Sequence, residues 1–534
     1  MSTRTPTFTG TFRLTRLALR RDRLMIPLWT LGITLLVAAT ASSFTELYPT
    51  TASRVPFARS IESNPGILAL TGRGFDLTTI GGLVSWRISG SGALLAAIMS
   101  LLLVVRHTRA EEESNRLELL GSTVVGRAAP VAAALLTALA ANALVMVLVT
   151  VSLIGFDLPA AGALALGLSY LTCGMVFAGL SAISAQLTES ARAANGITSS
   201  LLGGCYLIRA AGDSTDAHWL SWLSPVGWAQ QTRAYAGERW WVPLMAIAVA
   251  AGLAAVGYRL ALSRDLGAGV LPSRPGPTRA AAWLGSPLAL AWRLQRGALL
   301  GWGLGFAVLG VVYGGLADSS TDLAESSSEL QDVIQSIGGK QGIADAFMST
   351  MLVFGAFVAA AYAVQGVLRL HGEEVDQRAE PLLATPVSRL GWALSHLLVT
   401  LVGVTVLMSV QGVAAGLVRG LVAGDVADEV LRTWGAALVQ VFAIAVFAGV
   451  VTALFGLAPR WAPAGWGFLA AGLLIFFLGS VVTLNHWLSD LSPFTHLPKL
   501  PGGEFDWTPL IGLTLVTLVL CAVGLLGLRR RDIG

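Results

Sequence analysis

Four carboxylates, Glu373, Glu374, Asp376 and Glu380, fall within GEEVDQRAEPLLATPVSR (Gly372 to Arg389), although only 12% of the chain is charged. A second stretch, AEEESNRLELLGSTVVGR (Ala110 to Arg127), repeats the pattern with Glu111, Glu112 and Glu118. Carboxylates in such numbers offer charge-assisted contacts to basic groups, each worth roughly 1.5–3 kcal/mol. Read as a helix, Glu373, Gln377 and Glu380 share one face, as do Glu111, Asn115 and Glu118. Glu374–Arg378 and Glu112–Arg116 are then i, i+4 pairs in the favourable order. Thr385-Pro386 reads as an N-cap and an N1 proline opening the next helix. An acidic face is repelled by an anionic leaflet, so it is expected to turn toward the cytosol or a protein. For one such segment alone a solvated loop helix is the better explanation. Two at equivalent places favour docking.

The elements around these segments are those of a membrane. Hydrophobic residues make up 54% of the chain and its mean hydropathy is +0.70. Apolar runs long enough to cross a core of ~30 Å recur throughout. The expected architecture is an all-α polytopic membrane protein with twelve spans, at 24–44, 84–105, 128–154, 158–186, 195–211, 240–262, 298–317, 346–369, 390–418, 434–457, 463–484 and 507–528. The 195–211 run is the weakest, being short and rich in Gly and Ser. Arg and Lys gather in the loops on the side of the termini, which places both termini in the cytoplasm. The net charge of +4 therefore reads as topology, with no nucleic-acid partner expected. The N-terminal basic segment lacks the apolar core and cleavage site of a removed signal.

The chain is an internal duplication. A shift of 262 residues lays Glu111-Glu112 on Glu373-Glu374, Arg116 on Arg378, Glu118 on Glu380 and Arg127 on Arg389. Upstream, RRDRLMIPLWTLG (Arg20 to Gly32) matches RLQRGALLGWGLG (Arg293 to Gly305), and downstream WLSWLSP (Trp219 to Pro225) matches WLSDLSP (Trp487 to Pro493). The halves even end alike, in RDLG (Arg264 to Gly267) and RDIG (Arg531 to Gly534). Residues 1–266 form the first six-span half and 288–534 the second, in parallel orientation. The Pro- and Gly-rich stretch 267–287 joins them as a cytoplasmic linker.

Other polar features are sparse. Arg13, Arg16, Arg20 and Arg23, interleaved with Phe12, Leu14, Leu17, Leu19 and Leu24, predict an amphipathic helix at the interface or simple positive-inside anchoring. The Trp- and Pro-rich segments before the sixth span of each half suit re-entrant pieces or an aromatic belt. Asn142, Gln365, Gln411 and Gln440 suit helix joining more than a pathway, and Gly412, Gly416 and Gly420 a packing ridge. No buried run of acid or arginine suggests an ion relay. Three isolated cysteines and six scattered histidines offer no metal site and no disulfide framework. No polar cluster suggests catalysis, and there is no GxxxxGK[ST] phosphate loop, so an ATP-driven function places ATP on another polypeptide. Only Lys340 and Lys499 are lysines, and with much Ala and Gly that is the mark of a GC-rich bacterial genome.

In its basic pre-span helices, its EE…R.E.L…TPVSR segment and its LSP region, the sequence resembles permeases of the ABC-2 exporter class, with the type V (ABCG-like) fold. Within that class it is similar to the fused twelve-span actinobacterial multidrug or polyketide-antibiotic exporters. The first copy departs from the pattern, reading STVVGR where the family prefers TPVSR. The resemblance implies a bacterial plasma-membrane transport subunit, not itself an enzyme. Two copies of an ABC ATP-binding subunit, carrying ATP and Mg, would meet coupling helices at Glu111, Glu112, Glu118, Arg127, Glu373, Glu374, Glu380 and Arg389. It also implies a central cavity for a large hydrophobic substrate, faced by the first, second and fifth spans of each half. Trp29, Met99, Tyr206, Trp302, Phe354 and Phe477 are the pathway candidates, with packing or lipid contact as their alternative. Lipid or sodium export by the same fold, or a membrane scaffold or sensor, are the competing functions.

Overall fold

The computed structural model of the chain describes residues 7–62, 67–68, 71–114, 116, 124–265, 267–271, 278–325, 339–479, 487 and 490–531. Among these, every regular element is helical. The chain divides into two compact units, Met1–Gly276 and Pro277–Gly534, each with its own apolar core.

In the first unit, α1 (Thr11–Arg21) buries Thr11 and Ala18 and leaves Arg13, Arg16, Arg20 and an 84% exposed Phe12 outside, the amphipathic pattern read from sequence. The chain then breaks at Asp22, whose fully buried carboxylate lies 3.2 Å from Arg106 and 2.5 Å from His107. There follow α2 (Met25–Leu47), α3 (Thr51–Glu62), α4 (Ile80–His107), α5 (Arg109–Glu113), α6 (Ala129–Ile154), α7 (Ala160–Leu187), α8 (Ala191–Ser214), α9 (Pro225–Gln231) and α10 (Trp241–Ser263). Central α7 packs against α4, α6 and α10. The short α9 buries Pro225, Val226 and Gly227 against α4 and α7, as a segment dipping back between spans would.

The second unit holds α11 (Pro287–Glu325), α12 (Gly339–Val375), α13 (Ala379–Leu383), α14 (Arg389–Ala423), α15 (Val426–Leu457), α16 (Gly465–Gly479) and α17 (Thr508–Arg530). Here α15 is central, packed on α12, α14 and α17. Gln295 stands at the position aligned with Asp22 and stays helical, so the basic segment and its span form one 39-residue helix. Gly424, at φ +82°, ends α14, and the Asp425 side chain accepts from the Asp428 N–H to open α15. Gly412, Gly416 and Gly420 form the expected ridge. A Cβ on Gly416 would stand 2.2 Å from Thr433 Oγ1, and one on Gly420 2.5 Å from Val426 Cα.

Ten helices among the described residues are long and apolar enough to cross a membrane: α2, α4, α6, α7, α10, α11, α12, α14, α15 and α17. The other two expected spans differ for separate reasons. The 195–211 stretch is helical in α8, but Arg192, Asn195, Arg209 and Asp213 lower its hydropathy. The 463–484 stretch is described only to Gly479, in the 15-residue α16.

Several helices outrun the spans read from sequence and bury charge at their ends. Asp345, Arg419, Glu429 and Arg432 close a ring at the end of the second unit opposite the acidic segment. Arg419 reaches Asp345 at 2.8 Å and Glu429 at 3.3 Å, while Arg432 reaches them at 2.7 and 3.2 Å. In α8, buried Arg209 and Asp213 pair at 3.4 Å. These buried charges were not expected from the sequence, which showed no buried run of acid or arginine suggestive of an ion relay. Each of these charges has an opposite partner, as burial in low dielectric demands.

Candidate functional site

The acidic segments do not form the continuous helices expected of them. In the second unit α12 runs through Glu373 and Glu374 and stops at Val375. Gln377 then takes a left-handed conformation, φ +56°, before α13 begins at Ala379. The turn separates Glu373 from Glu380, so the shared face of Glu373, Gln377 and Glu380 does not exist. In the first unit α4 breaks at Thr108, and α5 carries Glu111 and Glu112; Asn115 and Glu118 lie outside the described residues. The N-cap expected of Thr385 belongs instead to Ser388, whose hydroxyl accepts from the Gly391 N–H at 3.0 Å, while Thr385 Oγ1 donates to the Leu382 carbonyl.

The expected i, i+4 pairs are replaced by long-range ones. Arg531 Nη1 and Nη2 donate to Glu374 Oε1 and Oε2 at 2.7 and 2.6 Å, a bidentate fork. In the first unit Arg264 Nη1 and Nη2 donate to Glu112 Oε2 and Oε1 at 2.9 and 2.5 Å. Each arginine is the residue just past the end of its unit's last helix, α10 or α17. Each also receives a third segment at its backbone. Arg127 Nη2 donates to the Arg264 carbonyl and Arg389 Nη1 to that of Arg531, both at 2.6 Å. A cation at a helix C-terminus is favoured by the helix dipole as well. One clasp in each unit thus ties the end of the second span, the start of the third and the end of the last.

The two clasps differ in their surroundings. Glu112 is shared with Arg109, and Arg264 Nε donates to Gln186 Oε1 at 2.6 Å. Arg531 instead lies 4.8 Å over the Phe455 ring. Glu111 pairs with Arg21 at the end of α1 and lies 3.8 Å from Arg116. Glu373 is 8% exposed and takes Arg369 at 3.5 Å, and Arg378 turns to Asp376. Glu380 stands exposed on α13.

The pathway candidates sit as follows. Met99 is fully buried in the core of the first unit; Trp29 and Tyr206 are half-buried against that core, with Arg209 4.5 Å over the Tyr206 ring. Trp302 donates to Gln365 Oε1 at 3.2 Å, and Phe354 meets Phe476 edge-on at 5.5 Å. Phe477 belongs to α16, and its side chain lies outside the described residues. Asn142 joins helices as expected, donating to Ser100 Oγ at 2.7 Å.

The family described as "Multidrug efflux system permease Rv1217c, C-terminal domain" matches residues 14–260 and again 284–529, one stretch in each unit. The chain belongs to this permease family. It is 40% identical over 527 residues to the "Multidrug efflux system permease protein Rv1217c" of Mycobacterium tuberculosis (strain ATCC 25618 / H37Rv), an alignment covering 98% of this chain and 96% of the relative. Both acidic segments fall within the matched residues, while Arg264 and Arg531 lie just past the end of each stretch, and the duplicated match accords with the internal repeat. Sequence reasoning found the glutamates and Arg127 and Arg389. It missed Arg264 and Arg531 as their partners, although the RDLG and RDIG repeats were the visible signal.

Proposed function

We propose that this permease is the transmembrane subunit of an ATP-driven exporter that moves large hydrophobic drugs or antibiotics out of the cell. The observation that carries the reading is an acidic segment built twice at the same place in a duplicated bundle, in a chain akin to a relative named for multidrug efflux. Each segment docks one copy of a separate ATP-binding subunit, which holds ATP and Mg. Both termini face the cytoplasm of a bacterial cell, and the segments with them. Closure of two ATPases around ATP drives the segments, and the spans exchange inward- and outward-facing states as substrate crosses the membrane. Of the eight coupling candidates, Glu380 is the carboxylate among the described residues whose exposure leaves it open to a basic partner surface. Trp29 and Tyr206 in the first half, and Trp302 and Phe354 in the second, are the aromatic side chains offered to an apolar ligand.

The test is purification of the tagged chain from membranes of its native host. The chain alone is expected to hydrolyse no ATP and to co-elute with two ATPase subunits per chain, and vesicles holding that complex to accumulate rhodamine 6G when ATP is added. Hydrolysis by the chain alone, or a single ATPase per complex, overturns the assignment. ATP-driven movement of labelled phospholipid or sodium without the dye replaces the substrate class.

A further inference from the structure

We propose that Arg264 and Arg531 are positioning residues that transmit force from the acidic segments to the last span of each half, through clasps that Glu112 and Glu374 close. This rests on the exporter reading above and divides its carboxylates by role. Glu374, expected to meet an ATPase, has both oxygens occupied by Arg531 at 2.6 and 2.7 Å, and both Glu112 oxygens are occupied by Arg264. Such a carboxylate has little left to offer a partner. A push on the segment instead reaches the last helix directly, because the bidentate fork fixes direction as well as distance. The Arg127 and Arg389 bonds to the arginine carbonyls brace the same helix end from the third span. Duplication supports the reading. Both units conserve the fork and the brace while the groups around them change, from Gln186 and Arg109 in one to Phe455 in the other. A clasp serving only to fill space would not hold this geometry in two different settings.

The experiment compares Arg531→Gln with the exchanged pair Glu374→Arg/Arg531→Glu in the full complex. ATP hydrolysis and rhodamine 6G uptake are measured in the same vesicles. Arg531→Gln is expected to keep the amount of complex and its ATP hydrolysis within about twofold of the unaltered protein while uptake falls at least tenfold. The exchanged pair is expected to recover at least half of the uptake. A merely structural role lowers complex, hydrolysis and uptake together, and that result overturns the proposal. So does full uptake by Arg531→Gln, or an exchanged pair that accumulates yet transports no better than the single variant. If Arg531→Gln fails to accumulate, Arg531→Lys, which keeps the charge and loses the fork, takes its place with the same criteria. Failure of the exporter reading shows itself separately, as unaltered protein that recruits no ATPase.

Discussion

Arg389 donates its guanidinium Nη1 to the backbone carbonyl of Arg531 at 2.6 Å. Arg389 is therefore a brace within its own half, set at the first residue of α14 against the end of α17. Its role can be measured with no partner present. Arg389→Ala is expected to lower the stability of the isolated chain in detergent by about 1.5–3 kcal/mol, the usual worth of a hydrogen bond to a charged group. Arg127→Ala should act alike in the first half. Unchanged thermal unfolding of both variants contradicts the brace.

Glu380 should behave in the opposite way. It is exposed, and α13 presents it beyond the turn at Gln377. Glu380→Arg is expected to weaken co-purification with the ATPase about tenfold, the effect of losing roughly 1.4 kcal/mol, and to leave the unfolding of the isolated chain unmoved. Equal retention of the ATPase by both forms removes Glu380 from the docking surface.

The glycine contact between α15 and α17 sets a steric limit. A Cβ on Gly456 would stand 1.8 Å from the Gly524 carbonyl oxygen, backbone against backbone. Neither helix can yield by turning a side chain, so Gly456→Ala is expected to cost about 1–3 kcal/mol and Gly456→Leu to prevent accumulation in the membrane. Normal yield of the leucine variant would show that the helices part freely.

Trp302 and Phe354 test the substrate wall. Trp302→Ala and Phe354→Ala are expected to change rhodamine 6G uptake severalfold while co-purification of the ATPase stays constant. Unaltered uptake across several dye structures marks both as packing residues.

Reagent access fixes the sidedness. With Asp376→Cys and Asp506→Cys made separately, an impermeant maleimide added to intact cells is expected to label only position 506. Both residues are exposed; the native Cys173 and Cys521 are buried, and the partly exposed Cys205 is first replaced by serine. Labelling at 376 from outside inverts the topology.

The sequence revealed what depends on local pattern. Apolar runs marked the spans, and shared motifs marked the duplication. The glycine ridge of α14 followed from its spacing of four. Two kinds of feature were not local enough. The left-handed turn at Gln377 carries no glycine, so nothing in GEEVDQRAEP signalled that the helix stops there. The clasps join residues 152 and 157 positions apart, and no periodicity reports such a pairing. The charged ring escaped for a related reason. Asp345, Arg419, Glu429 and Arg432 stand just outside the apolar runs, where charge reads as loop, yet α12, α14 and α15 extend past those runs and carry them inside. Charges at the edge of an apolar run are ambiguous until the helix ends are known.

The clasps also impose an order in time. Glu112 finds its arginine within the first half, which can close while the second is still being made. Glu374 must wait for Arg531, synthesised 157 residues later. At ordinary elongation rates of 5–20 residues per second that interval is roughly 8–30 s, spent with a carboxylate at a span end and no arginine to receive it. The second acidic segment therefore reaches its finished geometry only once the last helix has left the ribosome and entered the membrane. Until then a nascent chain carries one closed clasp and one open one, and a chain stopped short of Arg531 never closes the second.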